Sequence, residues 1–191
     1  LCKYNLNKMN ISFKTFAIHD EHDIHSIVYN NDQDDMSSIN KIGRITKYIH
    51  VEYKGDIKYC VNLEDISHLQ LTKVGNSFCY DCISLKRIPS TITKCGINFL
   101  HECEAIEDIS NVQLTTVGND FCVECTSLKH IPSTIIECGN NFLCKCESIE
   151  DISNIQLTTV GNNFCIKCTS LKHIPSTITE CGNDFLFNCK S

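Results

Sequence analysis

No part of the chain gathers lysine and arginine, and the formal net charge is -6 over 191 residues. Phosphate binding is supplied by clustered cations, so this scarcity removes nucleic acid from the expected partners. Residues 1–59 carry 8 basic and 8 acidic side chains, while residues 60–191 carry 9 and 15, so the excess acid lies in the C-terminal part. No apolar run nears the roughly 20 residues that span a bilayer, and no transmembrane segment is expected. A basic segment followed by an apolar one is also missing at the start, so no signal peptide is recognisable, and the opening at Leu1 leads us to expect a piece of a longer protein. Disorder is excluded as well, because 42% of the residues are hydrophobic and only 21% are charged. Tryptophan is absent and proline occurs only three times, yet those three prolines are periodic.

The period is visible by eye. LTKVGNSFCYDCISLKRIPST from Leu71, LTTVGNDFCVECTSLKHIPST from Leu114 and LTTVGNNFCIKCTSLKHIPST from Leu157 start 43 residues apart, and Pro89, Pro132 and Pro175 keep that spacing. Each unit contains a second, diverged copy, CGINFLHECEAIEDIS from Cys95 and CGNNFLCKCESIEDIS from Cys138, so the basic period is 21 then 22 residues. Down the copies run a Phe column (Phe78, Phe99, Phe121, Phe142, Phe164, Phe185) and a Cys column (Cys82, Cys103, Cys125, Cys146, Cys168, Cys189). Two aliphatic columns accompany them, Leu85, Ile106, Leu128, Ile149, Leu171 and Ile88, Ile109, Ile131, Ile152, Ile174. Fixed apolar positions at a period of 20–29 residues are the signature of a leucine-rich solenoid, whose rungs bury their apolar edges only by stacking. The expected fold is therefore an α/β-class leucine-rich-repeat horseshoe. Its strands are expected at Leu85 to Ile88 and their equivalents. The glycines at 75, 96, 118, 139, 161 and 182 are expected to supply positive φ in a tight turn, each followed in most copies by a turn-forming Asn.

The residues Val117-Gly118-Asn119-Asp120-Phe121, then Cys125, Ser127-Leu128 and Ile131-Pro132, resemble the BspA-like, Treponema-type leucine-rich repeat. The resemblance covers about residues 60–191, six rungs with the last truncated. It implies a curved solenoid used in adhesion or partner binding, of a kind found on bacterial surfaces and in protists and large DNA viruses. The sequence departs from that pattern at Ser77, Asn98, Asp120, Asn141, Asn163 and Asp184, where the family often has Ala, and at Ser110 and Ser153, where it has Pro.

Fifteen cysteines invite three readings. The C-x-x-C pairs Cys79/Cys82, Cys122/Cys125 and Cys165/Cys168 match zinc or redox spacing. The Cys79 slot is filled by Leu100, Leu143 and Leu186 in alternate rungs, however, and the Cys95 slot alternates with Val74, Val117 and Val160. Interchange with apolar residues favours a ladder of small, reduced, buried hydrophobes. Equivalent pairs would lie about 10 Å apart, two strand spacings, too far for one zinc. Disulfides between adjacent rungs fit the allowed Cα separation but need Cβ vectors that point toward each other. No metal and no cofactor are assigned.

Between the inward residues of each expected strand stand two polar side chains whose sign alternates: Glu64-Asp65, Lys86-Arg87, Glu107-Asp108, Lys129-His130, Glu150-Asp151 and Lys172-His173. Acid against base at about 4.8 Å gives cross-strand pairs of roughly 0.2–1 kcal/mol each. Lys86, Arg87, Glu107, Asp108, Lys129, His130, Glu150, Asp151, Lys172 and His173 are the candidate binding strip, on the expected concave face, for a protein partner. The competing reading is that these charges chiefly satisfy one another. His130 and His173 would add positive charge to the strip in mild acid.

Residues 1–59 do not follow the repeat and are expected to cap it, with strands at Ile11 to Ile18 and Ile45 to Tyr53 around a polar loop from Asn30 to Asn40. His19, His22 and His25, among Asp20, Glu21 and Asp23, offer metal ligands or simply a solvated acidic loop. Nothing resembles a nucleophile, base and orienting group set for catalysis, so no enzyme is expected. Three functions stay open: a protein-interaction or adhesion module, a structural spacer array, and a thiol-rich metal or redox protein. The array ends within a rung at Ser191, so self-association or fraying through that uncapped rung is expected, and size-exclusion chromatography at high concentration tests it.

Overall fold

The computed structural model of the chain describes residues 27–29, 51–53 and 57–190. Within them there is no helix, so the helical half of the expected α/β class is not present among the described residues. Instead, short parallel pairings join segments about one repeat apart. β1 (Ile27–Tyr29), β2 (Val51–Tyr53) and β3 (Leu71–Val74) form a parallel sheet in that order. β4 (Thr116–Val117) pairs β5 (Glu137–Cys138), and β6 (Thr159–Val160) pairs β7 (Glu180–Cys181). Of the N-terminal expectations, Val51–Tyr53 is a strand, Ile27–Tyr29 is one that the sequence reading passed over, and Ile11 to Ile18 and the His19, His22, His25 cluster lie outside the described residues.

The strands also sit elsewhere than expected. From β3 onward the strands end just before the glycines, while the Leu85–Ile88 region and its equivalents hold only single parallel bridges, Asp65 with Arg87, Asp108 with His130 and Asp151 with His173. These bridges join rungs two by two, in step with the 43-residue period, whereas the β4–β5 and β6–β7 pairings join each such doublet to the next. The physical reason lies in Ser versus Pro. Ser67, Ser110 and Ser153 donate their N–H to Asp65, Asp108 and Asp151 Oδ1 at 2.7–2.8 Å, whereas Pro89, Pro132 and Pro175 have no N–H to satisfy.

The apolar columns form the core as expected. Phe78, Phe99, Phe121, Phe142 and Phe164 are buried, and consecutive rings stack with centroids 5.4–6.0 Å apart, ending on half-buried Phe185. Parallel rings at this spacing add to the burial of area that drives stacking.

The glycine expectation is overturned. Among the described residues no glycine has positive φ; nineteen other residues do, Tyr59 and then three in each of the six Phe-bearing rungs, such as Asp120, Cys122 and Glu124. They alternate with ordinary residues through the Phe-bearing segment. Each left-handed residue costs about 1–2 kcal/mol, and the compensation is visible: Asp120 N–H donates to Asn140 O, Cys122 N–H to Phe99 O and Glu124 N–H to Cys144 O, at 2.8–2.9 Å. Alternating φ turns successive N–H groups up and down the stack, so both neighbouring rungs are engaged.

The glycines serve close approach instead. A Cβ on Gly139 would lie 2.4 Å from Asn119 Oδ1 and 2.7 Å from Asn119 N. That Asn119 oxygen accepts the Asn140 N–H at 2.9 Å, and Asn76, Asn140 and Asn162 repeat the bond one rung on. Glycine lets the backbone settle onto this asparagine ladder.

Cys122 and Cys165 are fully buried and unbridged, as packing residues would be. The Cys82 column does more. Cys103, Cys125, Cys146 and Cys168 thiols donate to the carbonyls of Cys79, Leu100, Cys122 and Leu143 in the preceding rung, at 2.9–3.0 Å. Those acceptors are the left-handed residues, whose carbonyls take the thiol as a second donor beside the N–H three residues on, at 3.1–3.4 Å. This explains why that column never alternates with Leu or Val. Cys125→Ala is therefore expected to cost about 0.5–1.5 kcal/mol beyond lost packing, from the lost hydrogen bond, because the Leu100 carbonyl keeps the Cys103 N–H. Cys125→Ser, which keeps a donor, should recover part of it in urea melts; a serine variant less stable than the alanine one would reduce the column to packing alone.

Burial pushes the Cys95 thiol up to about 12 and the Cys138 thiol to about 11, from 9.0. The folded protein thus keeps protons that the unfolded chain releases above about pH 9, so this contribution to stability is complete below pH 9 and is lost as pH climbs toward 11–12. A Cys95→Val/Cys138→Val variant, using the residue of the alternate slots, should lose less stability than the parent between pH 8 and pH 10. Equal losses in the two proteins would assign the alkaline transition to other groups.

Candidate functional site

The strip is built by short extended turns of backbone held in register by the Asp65–Arg87, Asp108–His130 and Asp151–His173 bridges. Inward Leu and Ile anchor each turn in the core, which leaves the two residues between them exposed. Lys86, Arg87, Glu107, Asp108, Lys129, His130, Glu150, Asp151, Lys172 and His173 all reach solvent along one line.

Their pairing is more selective than alternation of sign implies. Lys86 meets Glu64 at 2.9 Å, Arg87 meets Asp65 at 2.8 Å, Lys129 meets Glu107 at 2.7 Å and Lys172 meets Glu150 at 2.8 Å. Every one of these joins the two rungs of a doublet. Among the described residues no ion pair crosses from Lys86 or Arg87 to Glu107 or Asp108, or from Lys129 to Glu150. The expected continuous ladder is therefore three closed doublets with seams between them. Lys129 holds the Glu107 carboxyl below its ordinary range, and Lys172 does the same for Glu150. Exposed pairs of this kind are worth at most about 1 kcal/mol.

The aspartates are also occupied. Hydrogen bonds from Ser153 hold Asp151 below its usual range, and Ser67 is the first cause of the same shift at Asp65. Of the ten strip residues, Asp108, Asp151, His130 and His173 make no ion pair among the described residues, and the two aspartates accept serine N–H groups. The proximity to carboxylates expected for these histidines is met through the backbone bridges and, at Asp151, by the charge of His173, while Asp108 and Asp151 accept their own serine N–H groups. At the seam between the second and third doublets, His130, Ile131, Asp151, Asn154 and Ser110 line an open depression of about 120 Å³. The sequence reading named His130 and Asp151 there but missed Ser110 and Asn154, whose recurrence one doublet earlier as Ser67 and Asn111 was the available signal.

Among the described residues no three His, Cys, Asp or Glu side chains converge to hold a metal ion, and no helix is long and apolar enough to cross a membrane.

No family model matches the chain, and no curated protein matches it. Among solved structures, it is similar to a leucine-rich repeat protein from Bacteroides ovatus ATCC 8483, with 15% identity and a TM-score of 0.36, over 69% of this chain and 55% of that one.

Proposed function

We propose that the chain is a non-enzymatic protein-interaction or adhesion module built on leucine-rich repeats of the BspA-like type, with residues 1–59 capping residues 60–191. The observation that supports it is the exposed strip on a stack whose inter-rung N–H groups and Cys103, Cys125, Cys146 and Cys168 thiols bond internally. The parallel sheet in which β2 joins β1 to β3 supports the capping role. A protein partner engages Lys86, Arg87, Glu107, Asp108, Lys129, His130, Glu150, Asp151, Lys172 and His173, and no cofactor takes part. Because the Lys and Glu members already satisfy one another, the specific contacts fall on His130 and His173, whose rings present both a donor and an acceptor when neutral.

The test is a photo-crosslinking residue placed at position 130, with a control at the exposed Glu137 site. Capture of one partner from position 130 alone, lost in His130→Ala/His173→Ala and kept when Lys129 and Glu107 are exchanged, supports the reading. Capture that follows the Lys129–Glu107 exchange and ignores the histidines would shift the site to the ion pairs. No selective capture in any native lysate would favour a structural spacer.

A further inference from the structure

The alternating-φ segment carries a second pair of columns, separate in sequence from the acid–base strip and at least partly exposed except at Val123. One column is mainly apolar, running Tyr80, His101, Val123, Cys144, Ile166 and Phe187 from rung to rung. Tyr80 and His101 stack at 4.6 Å, and Phe187 is 55% exposed. The column beside it is charged, with Asp81, Glu102 and Glu124 followed by Lys145 and Lys167. The two columns adjoin, because the Glu102 carboxylate lies 3.4 Å from the Tyr80 hydroxyl and 3.1 Å from His101 Nδ1, although the latter contact is not aligned as a hydrogen bond.

Within the chain only the middle of the charged column is neutralised, by the Glu124–Lys145 ion pair. Asp81 and Lys167 make no ion pair among the described residues, and Glu102 meets only the His101 ring. The column thus runs from acid to base over five rungs and ends on uncharged Asn188, and Glu102/Lys167 and Glu124/Lys145 are opposite about its midpoint, between Val123 and Cys144.

A strip with that symmetry is complementary to itself when reversed. A two-fold axis across the face at its midpoint sets Glu102 against Lys167 of a second copy and Glu124 against Lys145 of it. The same operation sets Tyr80 against Phe187, His101 against Ile166 and Val123 against Cys144, so the mainly apolar column meets itself. Parallel association would oppose Asp81 to Asp81 and Lys167 to Lys167, which like-charge repulsion disfavours. We propose that this face is the interface of an antiparallel, isologous dimer of the chain. The proposal concerns a different surface from the acid–base strip and is independent of it.

The experiment is sedimentation equilibrium of the full chain and of two charge-reversal variants, Glu102→Lys and Lys167→Glu, with circular dichroism to verify folding. The parent is expected to dimerise, more weakly as salt rises. Each variant alone should dimerise at least about tenfold more weakly. An equimolar mixture of the two should regain the dimer, since the lysine introduced at position 102 of one copy then faces the glutamate introduced at position 167 of the other. Lys167 is exposed, so its reversal leaves the core untouched. A parent that stays monomeric at all concentrations overturns the proposal, as does a dimer indifferent to both reversals. A dimer removed instead by Phe185→Ser, in the last rung, would reassign association to the end of the stack and overturn it too.

Discussion

Replacing Phe142 by alanine is expected to lower the unfolding free energy by about 3–5 kcal/mol. The ring is fully buried and sandwiched, 5.5 Å from Phe121 on one side and 5.4 Å from Phe164 on the other, with interplanar angles of 9° and 8°. Truncation removes both stacking contacts and opens a cavity that alternating-φ backbone, tied to both neighbours, cannot collapse to fill. In a stack where each rung touches only its neighbours, such damage also uncouples the two sides. Hydrogen exchange should therefore show protection falling first in residues 140–189 while residues 78–109 keep theirs. Phe185, half-buried and stacked on Phe164 alone, is the control: Phe185→Ala should cost clearly less. Equal losses at the two sites would mean that stacking across rungs contributes little to the stability of the array.

Gly139→Ala is expected to destabilise by roughly 1–3 kcal/mol or more, the range for forcing atoms into a packed site. Its Cβ would meet backbone, Asn119 N at 2.7 Å and Gly118 C at 2.8 Å, as well as the Asn119 side-chain oxygen at 2.4 Å. Backbone cannot swing aside as a side-chain tip can. Gly118→Ala should be far milder, because its first neighbour is Ile97 Cγ2 at 3.2 Å, where the preceding rung carries Ile in place of Asn. The comparison separates two explanations of one motif. Were the glycines needed for positive φ, both substitutions would cost alike; with close approach as the cause, thermal melts should rank Gly139→Ala well below Gly118→Ala.

This glycine is the clearest case of a residue legible in type and misread in cause. Gly followed by Asn resembles a turn, and in a chain considered one rung at a time nothing contradicts that. The asparagine oxygen bonds the N–H one rung on, so its purpose exists only between copies. The left-handed residues escaped notice for a related reason. Asn98 and Asp120 belong to types that tolerate that conformation, but Leu100, Cys122 and Lys145 do not signal it, and only hydrogen bonds to both neighbours stabilise it there. At the candidate site, the exposed strip and its alternation of sign were readable from residue order, whereas the closing of Glu107 onto Lys129 but not of Lys129 onto Glu150 was not.

The sequence by itself determined the period, the core columns of Phe, Leu and Ile, the exposure of the acid–base strip and the apolar character of the Cys122 slot. These follow from recurrence, because a position that faces the interior must stay apolar in every copy. Tertiary structure alone decided where the pairings fall, which charges meet, which residues take positive φ and why Cys125 and its equivalents do not vary. Each of those depends on how one rung seats against the next, a fit set by stacking and encoded in no single copy of the repeat.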